Sequence, residues 1–302
     1  MLALIAPGQG SQAPGMLNSW IAQPQFKEIL FNFSDAIDLD LVHLGTTADA
    51  EEIKDTANAQ PLIVATSLLA VHGLALKNIA VTCGHSVGEL AAAAISGAMS
   101  ERDALTFVRA RGIEMAKAAA QSPAGMSAVL GGDRNEVLAT LENLGLTPAN
   151  DNGAGQIVAA GDLSALADLS QNPPTGARVR ALAVAGAFHT EFMSPAVEPL
   201  RTLAVSLITH VAKIPFISNK DGESISDGTE ILARIVNQIA HPVRWDLCMG
   251  RLKSMGVTGV IELPPAGTLV GLLKRAVPEI ETFALKSADD LPAARQFAER
   301  HS

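Results

Sequence analysis

The sequence predicts an α/β protein, with a parallel sheet covered by helices and a small α+β unit inserted into it. Three observations carry that reading. Short apolar runs ending in glycine or proline alternate with longer helical segments at both ends of the chain. Between about 125 and 187 the order changes to βαββαβ, the split pattern of a ferredoxin-like unit. Hydrophobic residues make up 48% of the 302 positions and charged residues 18%, enough apolar surface for a large core.

The elements follow in order. LALIA (2–6) is a buried strand closed by Pro7 and Gly8. Residues 17–37 read as helical. PLIVATSLLAVHGLAL (61–76) reads as a helix opened by Pro61, a favoured first-turn residue. A second strand at 79–83 precedes alanine-rich helix at 89–95 and another helix at 101–120. In the insert, MSAVL (126–130) is a strand and 133–144 a helix. LTPAN (146–150) and QIVAAG (156–161) are strands around a Gly/Asn turn, 162–170 is a helix and RVRALAV (178–184) a strand. Alternation then resumes with helix 194–209, strand KIPFIS (213–218), helix 228–239, strand GVIEL (259–263) and helix 267–276. The chain therefore divides into a discontinuous large α/β domain, 1–124 and 188–302, and a small subdomain, 125–187.

Composition removes several function classes. Net charge is −9 with no lysine or arginine run, which argues against a nucleic-acid partner. MLALIAPGQG lacks a basic start and a long apolar core, and no stretch approaches the ~18 uninterrupted apolar residues of a membrane span. The expectation is a cytoplasmic protein with no membrane association. The two cysteines, Cys83 and Cys248, lie in apolar surroundings and read as buried thiols. Seven scattered histidines give no metal-ligand spacing, and tyrosine is absent. GQGSQA (8–13) follows a strand and fits G-x-G-x-x-A. No second strand ends in an acid about 20 residues on, where a dinucleotide ribose would need one. No cofactor is expected.

The chemistry centres on VTCGHSVGEL (81–90), where Gly84-His85-Ser86-Val87-Gly88 fits G-x-S-x-G between a strand and a helix. That context sets Ser86 on a sharp turn beside the free N–H groups and positive dipole end of a helix. Its other reading is a helix-capping serine at a tight turn. A nucleophilic serine needs a base. His85 is adjacent, and neighbouring side chains on an elbow diverge. His72 reads as a core histidine in an apolar helix, and His43, His210 and His301 have no distinguishing surroundings. His241, before Pro242, is the weaker candidate. His189 in VAGAFHTEF, among small residues at a domain junction, is the favoured one. Helix 101–120 places Val108, Arg111, Met115 and Ala118 on one face, with Arg109 nearly opposite and solvated. An arginine on an apolar face needs an acceptor, either an internal acid such as Glu89 or a substrate carboxylate.

Together these segments resemble the malonyl-CoA:acyl carrier protein transacylase family, the acyltransferases of fatty acid and polyketide synthesis. The resemblance runs through APGQGSQ (6–12), QP (60–61), GHSVGE (84–89), RG (111–112), NGAGQIVAAG (152–161), GAFH (186–189), SNKDG (218–222), HPVRW (241–245) and GTLVGLLKR (267–275), in the family's order over nearly the whole chain. It implies an α/β-hydrolase-like core with a ferredoxin-like insert. It implies Ser86 as acyl-accepting nucleophile and His189 as general base and acid, oriented by a backbone carbonyl. The oxyanion hole would be the N–H groups of Gln9 and Val87. Arg111 would grip the malonyl carboxylate, and Phe188 would go with malonyl rather than methylmalonyl. The implied partners are malonyl-CoA, coenzyme A and an acyl carrier protein, with the enzyme a monomer. Arg178, Arg180, Lys274 and Arg275 are candidate contacts for an acidic carrier, or ordinary surface charges. The sequence departs from many relatives at Arg244, where glutamine is common, and at Pro264-Pro265-Ala266, where G-P-G is common. Competing readings are a serine thioesterase or esterase, a nucleotide-binding oxidoreductase and a catalytically silent carrier-docking module.

Overall fold

The computed structural model describes residues 1–302. The chain opens with β1 (Leu2–Ala6), then α1 (Asn18–Ile21) and α2 (Pro24–Ile37). The single helix expected over 17–37 is thus split, with Pro24 opening its second part. Next come α3 (Leu41–Thr46) and α4 (Thr56–Leu74). The helix read as starting at Pro61 begins five residues earlier, where the Asp55 side chain accepts from Ala57 N–H and Pro61 lies inside the helix. The cap overrides the first-turn preference of proline, and the i−4 carbonyl that Pro61 leaves free, Ala57 O, accepts from Arg109 Nη1 at 2.9 Å. Arg109 is therefore a packing residue, half-buried rather than solvated.

β2 (Val81–Gly84), α5 (Gly88–Ser96) and α6 (Glu101–Ala119) follow. Then come β3 (Ala124–Gly131), α7 (Arg134–Asn143), β4 (Thr147–Asp151), β5 (Gln156–Asp162), α8 (Leu163–Gln171) and β6 (Ala177–Ala181). The strand read to 184 ends at Ala181, and the run 182–184 turns toward the cleft described below. The remainder is α9 (Ser194–Val205), β7 (Phe216–Ile217), β8 (Ser224–Ile225), α10 (Gly228–Gln238), β9 (Val243–Arg244), α11 (Trp245–Ser254), β10 (Gly259–Glu262), α12 (Thr268–Ala276), β11 (Glu281–Ala284) and α13 (Leu291–His301).

Two sheets organise these elements. The first runs β11-β10-β1-β2-β7-β8 and is parallel except for the β7–β8 pair. Its central strands are apolar on both faces, as a sheet covered on two sides requires. Leu2, Leu4 and Ala6 pack into the larger core with α2, α4, α5 and α6, while Ala3 and Ile5 face Trp245, Leu252, Leu269 and Leu273 of α11 and α12. The second sheet runs β6-β3-β5-β4-β9, antiparallel except for β4–β9. Its period-2 alternation separates two surfaces: Val129, Ile157 and Ala159 pack under α7 and α8, whereas Met126, Val158 and Ala160 join the larger core. β9 comes from beyond residue 188 yet completes this second sheet, so main-chain pairing ties the 125–187 segment to the chain that follows it. Helix α4 is long and apolar enough to cross a membrane, and 78% of that stretch is buried inside the protein.

Candidate active site

The carboxyl ends of β1 and β2 open into a cleft of about 230 Å³ roofed by the inner face of the second sheet. This is where ligands sit in open parallel sheets. Gln9, Ser86, Val87, Arg111, Phe188 and His189, every residue anticipated for the site, line this one cleft.

Ser86 stands at a turn made possible by its neighbours. A Cβ on Gly84 would collide with the Gly88 backbone, and a Cβ on Gly88 with the Ala6 carbonyl of β1. Only glycine lets strand, turn and helix approach so closely. Ser86 itself has φ 53° and His189 φ 62°, both in the left-handed region. Such backbone costs on the order of 1–3 kcal/mol per residue and persists only where surroundings enforce it. At Ser86 the enforcing contacts are its N–H donated to Asn219 Oδ1 at 2.8 Å, and Asn219 Nδ2 donated to Gly84 O at 2.7 Å.

Ser86 Oγ lies 2.7 Å from His189 Nε2. His189 Nδ1 lies 2.8 Å from the Gln238 carbonyl oxygen, which can only accept, so Nδ1 carries the proton and Nε2 is free to take one from the serine. Burial, reinforced by the charge of Arg111, pulls the His189 pKa down to about 3, which keeps the ring neutral. The N–H groups of Gln9 and Val87 donate to no acceptor in the protein. The Gln9 side chain is tied back to Thr56 Oγ1 at 3.3 Å.

Arg111 lies on regular helix α6, 1% exposed. The adjacent Gly112 lets α6 close on α4, since a Cβ there would sit 2.9 Å from Thr56 O. Nη1 of Arg111 donates to Gln60 Oε1 at 2.6 Å and Nη2 to Gln238 Oε1 at 3.0 Å, both neutral amides, and buried Nε has no partner. The internal ion pair with Glu89 is not formed. Glu89 instead accepts from Asn219 N at 2.6 Å and from Gln238 Nε2 at 2.6 Å. Burial lowers Arg111 to about 10, so the guanidinium keeps its charge at neutral pH without a carboxylate of its own. Burial pushes Glu89 up to about 8, opposed by the Asn219 N–H and the charges of Arg111 and Arg234.

The other sequence candidates do not bond Ser86 Oγ. His85 lines the same cleft but lies 2.9 Å from Asn152 Oδ1 and edge-on to Trp245, and burial lowers its pKa. His241 is exposed and bonds Asn237 O. His72 is exposed as well, paired with Glu101 rather than held in the core. Arg244 is paired with Asp246 and leaves the His189 acceptor to the Gln238 main chain. Arg178, Arg180, Lys274 and Arg275 are exposed. Cys83 and Cys248 are free and buried, and burial raises both thiols, which makes them unreactive. Sequence reasoning gave no role to Gln60, Asn219 or Gln238. Gln60 and Asn219 fall within QP (60–61) and SNKDG (218–222), segments that carry the resemblance, while Gln238 is only a polar residue beside an apolar run.

The chain matches the Acyl transferase domain family over residues 4–296. It is 51% identical over 296 residues to a malonyl CoA-acyl carrier protein transacylase of Mycobacterium tuberculosis, covering 96% of this chain and 98% of the relative. Its structure is similar to the crystal structure of MCAT from Mycobacterium tuberculosis, with a TM-score of 0.94, 50% identity and coverage of 98% of this chain and 99% of the other. It is also similar to a malonyl-transacylase solved in complex with its holo type II PKS acyl-carrier protein, with a TM-score of 0.92, 27% identity and coverage of 98% and 99%.

Proposed function

Because the chain belongs to the acyl transferase family, and within it to the malonyl CoA-acyl carrier protein transacylases, we propose that Ser86 carries the malonyl group between malonyl-CoA and the carrier's phosphopantetheine thiol. The chain is an acyltransferase, and the transfer supplies malonyl units for fatty acid or polyketide synthesis. One observation carries the residue assignment: the 2.7 Å Ser86–His189 contact, with the far ring nitrogen on a backbone carbonyl, opens into the cleft that Arg111 also lines.

His189 Nε2 takes the Ser86 proton as Oγ attacks the thioester carbon. The oxyanion is held by the free N–H groups of Gln9 and Val87, beside the N-terminus of α5. The C–S bond breaks, the imidazolium returns its proton to the coenzyme A sulfur, and the malonyl ester stays on Ser86. Its carboxylate lies on the Arg111 guanidinium, whose own partners are only neutral amides. The carrier thiol then gives its proton to His189 and attacks the ester, and Ser86 recovers its hydrogen as the C–O bond breaks. Phe188, buried against this cleft, crowds the position an α-methyl group would occupy.

The first sheet with its helices is best read as an α/β-hydrolase-like core, 1–124 and 188–302. Residues 125–187 are best read as a ferredoxin-like subdomain, supported by their sheet order β6-β3-β5-β4. Intact-protein mass after mixing with malonyl-CoA tests the assignment. A malonyl adduct on the wild type, absent from Ser86→Ala and discharged by holo carrier protein, is expected. Coenzyme A release with no adduct and no transfer would overturn it in favour of a hydrolase.

A further inference from the structure

Glu89 is a buried acid at the base of the site that the transfer chemistry does not use. It sits in the first turn of α5, three residues after Ser86 and 1% exposed. Its two oxygens hold two different arms of the site. Through Oε1 it accepts from Asn219 N, and Asn219 in turn holds the elbow by accepting from Ser86 N–H and donating to Gly84 O. Through Oε2 it accepts from Gln238 Nε2. Gln238 is the meeting point of the remaining groups: its main-chain oxygen orients His189, and its side-chain oxygen receives Arg111 Nη2.

An amide has one donor end and one acceptor end, so the direction of the Gln238 side chain is an all-or-none matter. With Nε2 on the Glu89 carboxylate, Oε1 must face Arg111. Turned over, the same side chain would set an NH₂ group against a guanidinium, two donors with no acceptor between them, in a site where an unmatched polar contact is costly. Ser86 O at 3.2 Å and Asn219 Oδ1 at 3.1 Å also lie near Nε2, but the Glu89 contact at 2.6 Å is the shortest.

We propose that Glu89 is a positioning residue for substrate selection, whose side-chain oxygen fixes the direction of the Gln238 amide and thereby holds Arg111 where a malonyl carboxylate can reach it. Glu89, which the sequence offers as an ion-pair partner of Arg111, thus acts on the clamp through an amide instead. This rests on the proposed malonyl transfer, and the wild-type control separates the two.

The substitution Glu89→Gln is nearly isosteric and replaces one acceptor with a donor. The main-chain N–H of Asn219 cannot turn, so the one side-chain oxygen left at position 89 stays on it. The new NH₂ group then faces Gln238, whose amide must turn over. The test is single-turnover acylation of Ser86 by malonyl-CoA and by a high concentration of acetyl-CoA, followed by intact mass. Malonyl acylation is expected to fall about 10–100-fold, mainly through weaker binding, while acetyl acylation stays within about twofold. Gln238→Met leaves the main-chain oxygen for His189 but removes the relay. It should reproduce the selective loss, and the double variant should be no worse than Gln238→Met alone. If Glu89→Gln does not fold, Gln238→Met carries the test by the same selective loss. Equal loss of malonyl and acetyl acylation, additive effects in the double variant, or unchanged malonyl acylation would each overturn the inference. A wild type that forms no malonyl adduct would instead overturn the transfer reading beneath it.

Discussion

The elbow that carries Ser86 and the helix that carries Arg111 face the same cleft and are built in opposite ways. At the elbow the backbone does the placing: both Ser86 and His189 hold left-handed φ angles, and two glycines admit main chain where no Cβ fits. At Arg111 the backbone is ordinary α-helix, and placement comes from side-chain amides on two other helices, Gln60 on α4 and Gln238 on α10. On the proposed mechanism, the reacting atoms are thus fixed by strained, over-determined main chain, while substrate choice is fixed by side chains that can turn. Damage to the first should end the reaction, and damage to the second should change which acyl group reacts.

Ser86→Ala gives the largest effect, a loss of at least about 10⁴-fold in transfer with no acyl-enzyme by mass. Retained malonyl adduct would break the comparison at its root. Gly88→Ala attacks the same region through its backbone. The added methyl meets the Ala6 carbonyl, so folded stability should drop by about 1–3 kcal/mol or more, read from the denaturant midpoint. An unchanged midpoint would mean that main-chain crowding does not define the elbow. Arg111→Ala should leave the fold and the elbow intact and lower malonyl kcat/KM about 10²-fold, close to the ~1.5–3 kcal/mol of a hydrogen bond to a charged group. Acylation by neutral thioesters should change far less. A uniform loss for all thioesters would show that the two regions are not separable.

The acid side of the pH profile sharpens the same contrast. Burial and the Arg111 charge hold His189 at about 3, so the imidazole remains an unprotonated base as pH falls below the ordinary histidine value of ~6.5. The acid limb of malonyl kcat/KM should therefore lie well below 6.5. A limb at 6.5 would mean that His189 titrates like an exposed ring. In Arg111→Ala the positive neighbour is gone, and any acid limb that remains measurable should move upward.

The contrast also separates what the sequence makes readable from what it does not. The elbow is legible because strand, glycines and serine are contiguous, and Arg111 because helical periodicity puts it on an apolar face. The acceptors of Arg111 are not legible. Gln60 is 51 positions away and Gln238 is 127, and nothing local marks either as a partner. A Glu89–Arg111 ion pair has the right charges, but pairing by charge alone misses the amide set between them. β7 and β9 have two residues each, too few for periodicity to register, and the pairing of β9 with β4 is a property of the topology. The start of α4 escapes a reading that weighs Pro61 without the Asp55 cap upstream.

The smallest expected effect concerns Arg109, two residues from Arg111 on the same helix. QP (60–61) on α4 faces both arginines: Gln60 accepts from Arg111, while Pro61, lacking an N–H, leaves the Ala57 carbonyl to Arg109. Arg109→Ala should cost about 0.5–1.5 kcal/mol of stability, the ordinary net contribution of one hydrogen bond, and leave malonyl selectivity unchanged. Pro61→Ala would return an N–H to the helix and satisfy Ala57 O from within. In that background the Arg109→Ala penalty should shrink toward zero, a coupling that denaturant unfolding of the four variants would measure. Additive penalties would mean that Arg109 stabilises by packing its stem rather than by replacing the hydrogen that proline lacks. A shift in acyl selectivity would place Arg109 in the clamp and dissolve the division of labour along α6.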